Sequence, residues 1–554
     1  MTLRLFDYFE ELAAGDGAPS PWAARAPRRP QREYDLKLTP RVRDWQQDEE
    51  SLETLARIER EPWVDSVIRR RDAVRLRLAD SWVEMAGAAL EAGGSAEAPL
   101  VDLAGGRRFS VQFWDPNATK ALHIGHLRNL AIGNALAAAL AQAGGQVERR
   151  SRISDMGRAM GEAMAGVVQS GRRAGGWSDD DEKSDHFVGM CYAEYVASGG
   201  APSADGLEQA EDSLSREVQV QNDAADELIK RVLHGEREAV ELWYKTRAWV
   251  IAGQRKTLAR LGIAFDRVFF ESDFLPETAE LAESGQRSGT LRRRDDGVLV
   301  YATGLKELQE MPLVRSDGLS TQHMRSLTYA VSAPELEDMT SLQVTGSEWV
   351  AHVAGIRKLA AELRPELNGG FHPSRSIFHG MVSSRNRALT SSAGALLIDD
   401  LTDWLDAQID GDAARREIRR RHPYPERVAA QVALGYFLPH PATPDMEFDT
   451  SRLLREHESL GWDLARARAH TGGSSAPGGR PVENLDYRFA VVQSELYRRY
   501  LRLAVQRLDV RPLAHYLKHL SIWYLERDRS EPVQHVMHTL LDRSARGLGL
   551  EAAP

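Results

Sequence analysis

The stretch that most restricts how this chain can fold is residues 108–155. FSVQFWD has the character of a short buried strand, and PNATKAL is a turn around Pro116. HIGHLRNLAIGNALAAALAQAGG is a long Ala/Leu helix closed by glycines, and QVERRSRISD is strand-like again. A strand, a crossing helix and a second strand pair in parallel, so this segment predicts an α/β chain with a doubly wound parallel sheet. Strand signals return at VLVYAT, MTSLQVTG and FHPSRSIFHGMV with helices between them, so the sheet is predicted to gather segments far apart in the chain.

At 554 residues the chain exceeds what one core supports, ~250–300 residues. Residues 1–98 are predicted to form a small α+β unit. In it, 15–35 are a solvated linker, VDSVIRRRDAVRLRLADSW alternates like strands, and VEMAGAALEAGG is a helix. Residues 99–400 are predicted to hold the parallel sheet, with an insertion at about 170–262. Residues 170–220, with the charge run DDDEKSD, read as loose loops, and 222–262 read as helix. Residues 401–554 read as amphipathic helices broken by the loop TGGSSAPGGRPVEN.

Composition removes several classes. Hydrophobic residues at 42% and charged residues at 27% exclude wholesale disorder. No apolar run approaches the ~18–20 residues needed to cross a bilayer, and the opening MTLRLFDYFEELAAGDG is mixed and acidic, so no membrane partner and a cytoplasmic location are expected. The single cysteine, Cys191, excludes an internal disulfide and a cysteine-built metal site, and no metal ligand set is read. With 71 Lys and Arg against 81 Asp and Glu the formal charge is −10. Any nucleic-acid contact then needs local basic patches, and DNA is not an expected partner.

The candidate chemistry sits where the first helix begins. His123 and His126 fall on one face of its first turn, where free backbone N–H groups and the positive helix end attract phosphate. Gly125 between them removes a side chain where a flat ring approaches the backbone. Lys120 supplies a cation at the turn. The plainer readings are a histidine pair that merely caps a helix and a solvated surface lysine.

The segment VQFWDPNATKALHIGHLRNLAIGNALAAALAQAGGQVERRSRISDMGRAMG resembles the signature segment of class I aminoacyl-tRNA synthetases of the arginyl branch. There a Pro-Asn-x-x-Lys turn runs into the HIGH motif, and Asp-x-Gly (Asp155, Met156, Gly157) follows the second strand. The resemblance continues through LWYKTRAWVIAGQRKTLARLGIAFDRVFFES, PLVRSDGLSTQHMRSLTYAV, VTGSEWVAHVAGIRKLA and IFHGMVSS, in the family's order over most of 65–465. It implies a Rossmann-type catalytic fold with a helical anticodon-binding-like domain. It also implies ATP with Mg2+, activation of an amino acid or amine-bearing acid as its adenylate, and tRNA as acceptor. His123, His126 and Lys120 match the phosphate-facing groups. Gly125, Gly346, Glu348, His352, Met381 and Val382 match the nucleotide-binding positions.

Departures from the family fall at two places. The KMSKS stretch reads RNRALTSSAGALLIDD and contains no lysine, leaving Arg385 and Arg387 as cationic substitutes. Positions that the family uses to hold a guanidinium read Gln112, Gln322, Ser326 and Trp349. A guanidinium requires carboxylate partners, so arginine is expected to be a poor ligand. Asp115 stands where the family has a serine, and Asn117 matches its α-amino-binding asparagine. Trp349 is either a core residue or an indole facing the pocket. For tRNA, the resemblance points to the C-terminal helices, with Arg498, Arg499, Arg502, Arg507, Lys518, Tyr497, Tyr500 and Tyr516, and to a second basic patch at 415–427. Three functions stay open at this point. They are an aminoacyl-tRNA ligase with an altered pocket, an ATP- or tRNA-dependent amide-forming enzyme, and a non-catalytic tRNA- or nucleotide-binding paralogue.

Overall fold

The computed structural model describes residues 5–11, 20–42, 44–92, 104–171, 183–199, 224–332, 339–365, 375–384, 396–471, 482–527 and 531–551. Strands β1 (Trp22–Arg25), β2 (Leu36–Pro40), β3 (Val64–Arg69) and β4 (Val74–Leu78) form an antiparallel sheet in the order β1-β2-β4-β3. In VRLRL, Val74, Leu76 and Leu78 are buried while the arginines between them face outward, the period of a sheet with one dry face. The linker reading of 15–35 is corrected here, because 22–25 is a strand. Trp22 is 1% exposed, and its indole donates to the Ser51 carbonyl at 3.1 Å. One buried tryptophan outweighs the Gly/Pro/Arg composition around it.

The central sheet is parallel throughout. It contains β5 (Arg108–Trp114), β6 (Gln146–Ile153), β7 (Arg267–Phe270), β11 (Thr340–Gly346) and β12 (Arg375–His379) in the order β12-β11-β5-β6-β7. Phe109 to Trp114 are all buried, as a strand covered on both faces requires. The order reverses between β5 and β11, which opens a crevice at their carboxyl ends. The helix Ile124–Gln142 packs on β5 so closely that a Cβ on Gly133 would lie 2.2 Å from Phe113.

VLVYAT does not join this sheet. Its strand, β9 (Leu299–Ala302), sits between β8 (Arg292–Arg293) and β10 (Glu310–Val314) in a separate antiparallel sheet. A short apolar run shows that a strand is buried but not which strand it pairs with. β13 (Val382–Ser384) and β14 (Met446–Phe448) form a further parallel pair.

The insertion read as loose loops contains the helix Ser184–Gly199. It packs between Arg158–Gln169 and Arg237–Leu261 and buries Phe187, Val188, Cys191 and Tyr192. Part of the DDDEKSD run is internal. Lys183 bonds Asp185 (3.0 Å), Thr257 (2.6 Å) and Asp399 (2.7 Å), and His186 meets Asp399 at 3.0 Å. Asp185, His186 and Asp399 are spaced as metal ligands are, and the Lys183 ammonium already neutralises two of the three.

Helices from Ile398–Asp410 to Glu531–Gly547 cover the outer side of Ile124–Gln142. Asn134 donates to the Gly549 carbonyl at 2.7 Å and Gln142 to that of Arg543 at 3.0 Å. Arg488, fully buried, joins Leu485–Arg507 to the N-terminal sheet through Asp35 (2.7 Å) and Asp80 (2.5 Å). Among the described residues no helix is long and apolar enough to cross a membrane.

Candidate functional site

A cavity of about 310 Å³ occupies the crevice beyond β5 and β11. One end is built on the start of the helix Ile124–Gln142. His123 is its N-cap, with extended backbone at φ −116° and ψ 175°. The Gly125 N–H donates to His123 Nδ1 at 3.2 Å, and the His123 N–H donates to His126 Nδ1 at 3.1 Å. The imidazole centres lie 4.0 Å apart. A Cβ on Gly125 would sit 2.9 Å from His123 Cε1, so the flat ring for which the glycine leaves room is that of His123 itself.

The expectation of free helix N–H groups needs correction. Ile124 donates to the Leu396 carbonyl at 3.0 Å, and the histidine pair closes a capping box over the rest of the turn. What the turn offers the cavity is the far edge of each ring. Because both Nδ1 atoms accept, the neutral rings carry their protons on Nε2. Burial drives the His123 pKa well below the usual imidazole range, and His126 and Lys120 push it the same way. Burial, with Lys120 second, takes His126 down to about 3. The pair is therefore two neutral N–H donors, and Lys120 adds the positive charge. Both readings of the histidines hold, since they cap the helix and line the cavity. The backbone under Lys120 is held by Gln254, whose Nε2 donates to the Lys120 carbonyl at 2.8 Å.

Gly346, Glu348, Met381 and Val382 line the same cavity. His352 does not. It is 7% exposed, stacks on His323 with ring centres 4.7 Å apart, and holds His323 Nε2 at 2.6 Å through its Nδ1. A helical residue three beyond a pocket residue often shares its face, but here Trp349 lies before the helix Val350–Leu363, and that face turns inward at His352. Asn129 and His379 line the cavity instead and bond one another. Asn129 was legible, being three residues past His126. Arg128, 1% exposed, positions this wall by donating to the carbonyls of Gly380 (2.7 Å), Pro441 and Ala442 (2.8 Å each).

At the opposite end lie Gln112, Asp115, Asn117, Gln322, Ser326 and Trp349, all on the cavity wall. Trp349 is only half-buried, so it faces the cavity rather than the core. Asp115 accepts from Gln112 Nε2 at 2.6 Å and from the Arg152 N–H at 3.0 Å. Burial pushes its carboxyl up, against the pull of Arg152 and Gln112. Sequence reasoning missed Arg152, Tyr329 and Gln343, which also line this end. Asp155 is structural. It is buried against Arg247 and Ser272, and Gly157 turns the chain at φ 87°.

The description "tRNA synthetases class I (R), catalytic domain" matches residues 100–176. The arginine–tRNA ligase of Amoebophilus asiaticus is 28% identical over 355 residues, covering 60% of this chain and 56% of that protein. That of Methanothermobacter thermautotrophicus is 28% identical over 335 residues, covering 59% and 53%. The chain thus spans about half the length of the curated relatives it matches. The Thermus thermophilus arginyl-tRNA synthetase structure superposes with a TM-score of 0.65 at 19% identity, covering 99% of this chain and 97% of that one. The chain is similar in sequence to arginine–tRNA ligases and shares the fold of an arginyl-tRNA synthetase.

In this synthetase-like chain the expected tRNA-facing residues are largely committed elsewhere. Arg499 donates to the Ala24 carbonyl at 2.9 Å and lies 5.8 Å from the Phe6 ring centre, so it clamps the N-terminal unit. Tyr497 and Tyr516 are core residues, and Tyr516 donates to the Gln493 carbonyl at 2.8 Å. Lys518 donates to the Glu458 carbonyl at 3.1 Å. Arg498, Arg502 and Tyr500 are half-buried, and Arg507 is exposed. In the 415–427 patch, Arg419 pairs with Asp406 and Asp410, and Arg420 and Arg421 pair with Glu417. Arg385 and Arg387 lie outside the described residues.

Proposed function

We propose that the chain activates a carboxylic acid with ATP and passes the acyl group on, with tRNA as acceptor. The observation that carries this is the His123/His126 pair. Two neutral N–H donors with fixed tautomers stand beside Lys120 at the switch point of a parallel sheet, in one cavity with Asp115 and Asn117. In the first step a carboxylate oxygen attacks the α-phosphorus, the bond to the bridging oxygen breaks, and pyrophosphate leaves with that electron pair. The equatorial oxygens gain charge in the transition state, which preplaced donors stabilise. In the second step an acceptor hydroxyl attacks the acyl carbon, AMP leaves, and the hydroxyl proton is released.

Among the described residues the cavity wall offers no protein-built magnesium site. Among the described residues the carboxylates lining it are Asp115, already holding two donors, and Glu348. A divalent ion here belongs to the phosphates of the nucleotide. Arginine is not the favoured substrate, because Gln112, Gln322 and Ser326 offer no carboxylate for a guanidinium. One observation favours a second reading, a small-molecule amine acceptor giving an amide: Arg499 and Arg419 to Arg421 are spent on internal ion pairs and carbonyls. Pyrophosphate exchange over a panel of amino acids, followed by acylation assays with total tRNA, tests both readings. Exchange without tRNA acylation selects the second, and absence of any exchange removes both.

A further inference from the structure

Most buried arginines of this protein are paired with carboxylates. Arg315 is held by Asp226 and Asp317, Arg325 by Glu271, Arg468 by Asp542 and Glu551, and Arg488 by Asp35 and Asp80. Arg152, only half-buried, is different. Among the described residues its guanidinium has no hydrogen bond and no ion pair, and its Nε is shut off from solvent without a partner. It lines the cavity and lies 5.7 Å from the centre of the Tyr329 ring. The nearby carboxylate, Asp115, feels the charge of the guanidinium but accepts its hydrogen bonds from the backbone N–H of Arg152 and the amide of Gln112. Ser326 is one turn before Tyr329 on the helix Gln322–Ser332, so the guanidinium stands beside the wall that carries Ser326 and Gln322.

A guanidinium nitrogen shut off from solvent without a hydrogen bond is costly, and a guanidinium presents a fork of donors suited to a planar anion. We infer that this end of the cavity selects an amino acid whose side chain is anionic, a carboxylate or another oxyanion, with Arg152 as its counter-ion. In this arrangement Asp115 and Asn117 are left for the α-ammonium group. The inference rests on the reading of the cavity as an adenylate-forming site.

The test is pyrophosphate exchange with the full chain on L-aspartate, L-glutamate, L-cysteate and L-phosphoserine, against L-asparagine, L-glutamine, L-leucine and L-arginine. A parallel calorimetric titration of the same amino acids is run with a non-hydrolysable ATP analogue. An acidic amino acid should exceed its own amide by at least about tenfold. Arg152→Gln should erase that preference and Arg152→Lys keep part of it, with ATP binding unchanged in both. The acidic members that respond distinguish carboxylate from sulfonate and phosphate. Exchange that runs best with a neutral or cationic amino acid, or a preference that survives Arg152→Gln, overturns charge selection and leaves the adenylate reading standing. Acidic binding that depends on Arg152 without exchange by any amino acid keeps charge selection and removes the adenylate reading. If no acidic amino acid binds or exchanges in the wild-type chain, the inference falls whatever the variants do.

Discussion

The two ends of one cavity are built on opposite plans. At the histidine end both imidazoles are fixed by hydrogen bonds. Each ring has its Nδ1 occupied by a backbone N–H, the turn is capped, and Gly380 is held by Arg128. At the far end Asp115 is braced, but among the described residues the Arg152 guanidinium makes no hydrogen bond. On the proposed function the difference separates chemistry from selectivity. Donors that must meet every nucleotide in the same pose are preorganised, whereas the end that chooses a substrate can change by a few side chains without disturbing the scaffold.

The largest break in this comparison comes from His126→Ala. It removes a fixed donor from the histidine end and should lower pyrophosphate exchange about 10²–10³-fold while thermal unfolding shifts little. An unchanged rate would detach this end from catalysis. Next in size is the ranking of ligands at the other end. By calorimetry with an ATP analogue, L-arginine should bind at least about tenfold more weakly than the best amino acid of the panel. Tight arginine binding would mean that Asp115 serves the guanidinium.

Proton binding sharpens the contrast. Neither His123 nor His126 should titrate between pH 5 and 8, which histidine-selective NMR checks, with His123→Asn and His126→Asn assigning the signals. The folded pKa of each lies below the unfolded value of about 6.5, so below that pH the unfolded chain binds the proton first. The stability that these two rings contribute is complete above about pH 6.5 and is lost as pH falls through their lowered values, about 3 for His126. His186 runs the other way. Its pKa is raised despite burial, through Asp399 and Asp185, so what it contributes is present below about 6.5 and lost as pH rises through the raised value.

The smallest effect concerns a third surface. Charge reversal at Arg498 or Arg502 should flatten the log–log salt dependence of tRNA binding, by a slope of about 0.7–0.9 for each phosphate that the side chain no longer neutralises. Reversal at Arg499 should instead lower the unfolding temperature, since that residue clamps the N-terminal unit. Equal salt-slope changes at all three positions would return Arg499 to the tRNA-facing set.

The strand, turn and helix at 108–142 were legible because burial, periodicity and glycine punctuation agree there, and the order of motifs carried the rest of the sheet. Pairing was not legible. VLVYAT is as apolar as a central strand, and only the chain's path puts it in another sheet. Trp22 lay hidden in a polar linker composition. At the site, spacing placed His123, His126 and Lys120, and the resemblance placed Gln112, Asp115, Gln322 and Ser326. Neither separates a side chain that lines a cavity from one turned into the core, which is why His352 reads as a pocket residue and is not one. Arg152 carried no signal, since in a strand that reads RRSR one arginine looks like the next.

The bonds from Asn134 to Gly549 and from Gln142 to Arg543 have a consequence for cooperativity. The helix that begins with the histidine pair ends on the C-terminal helices, so its two ends report on each other. Calorimetric unfolding should then show a single transition for sheet and helices together, not one for each. A nucleotide that stabilises the helix start should slow amide exchange along Glu531–Gly547, which packs against Ile124–Gln142.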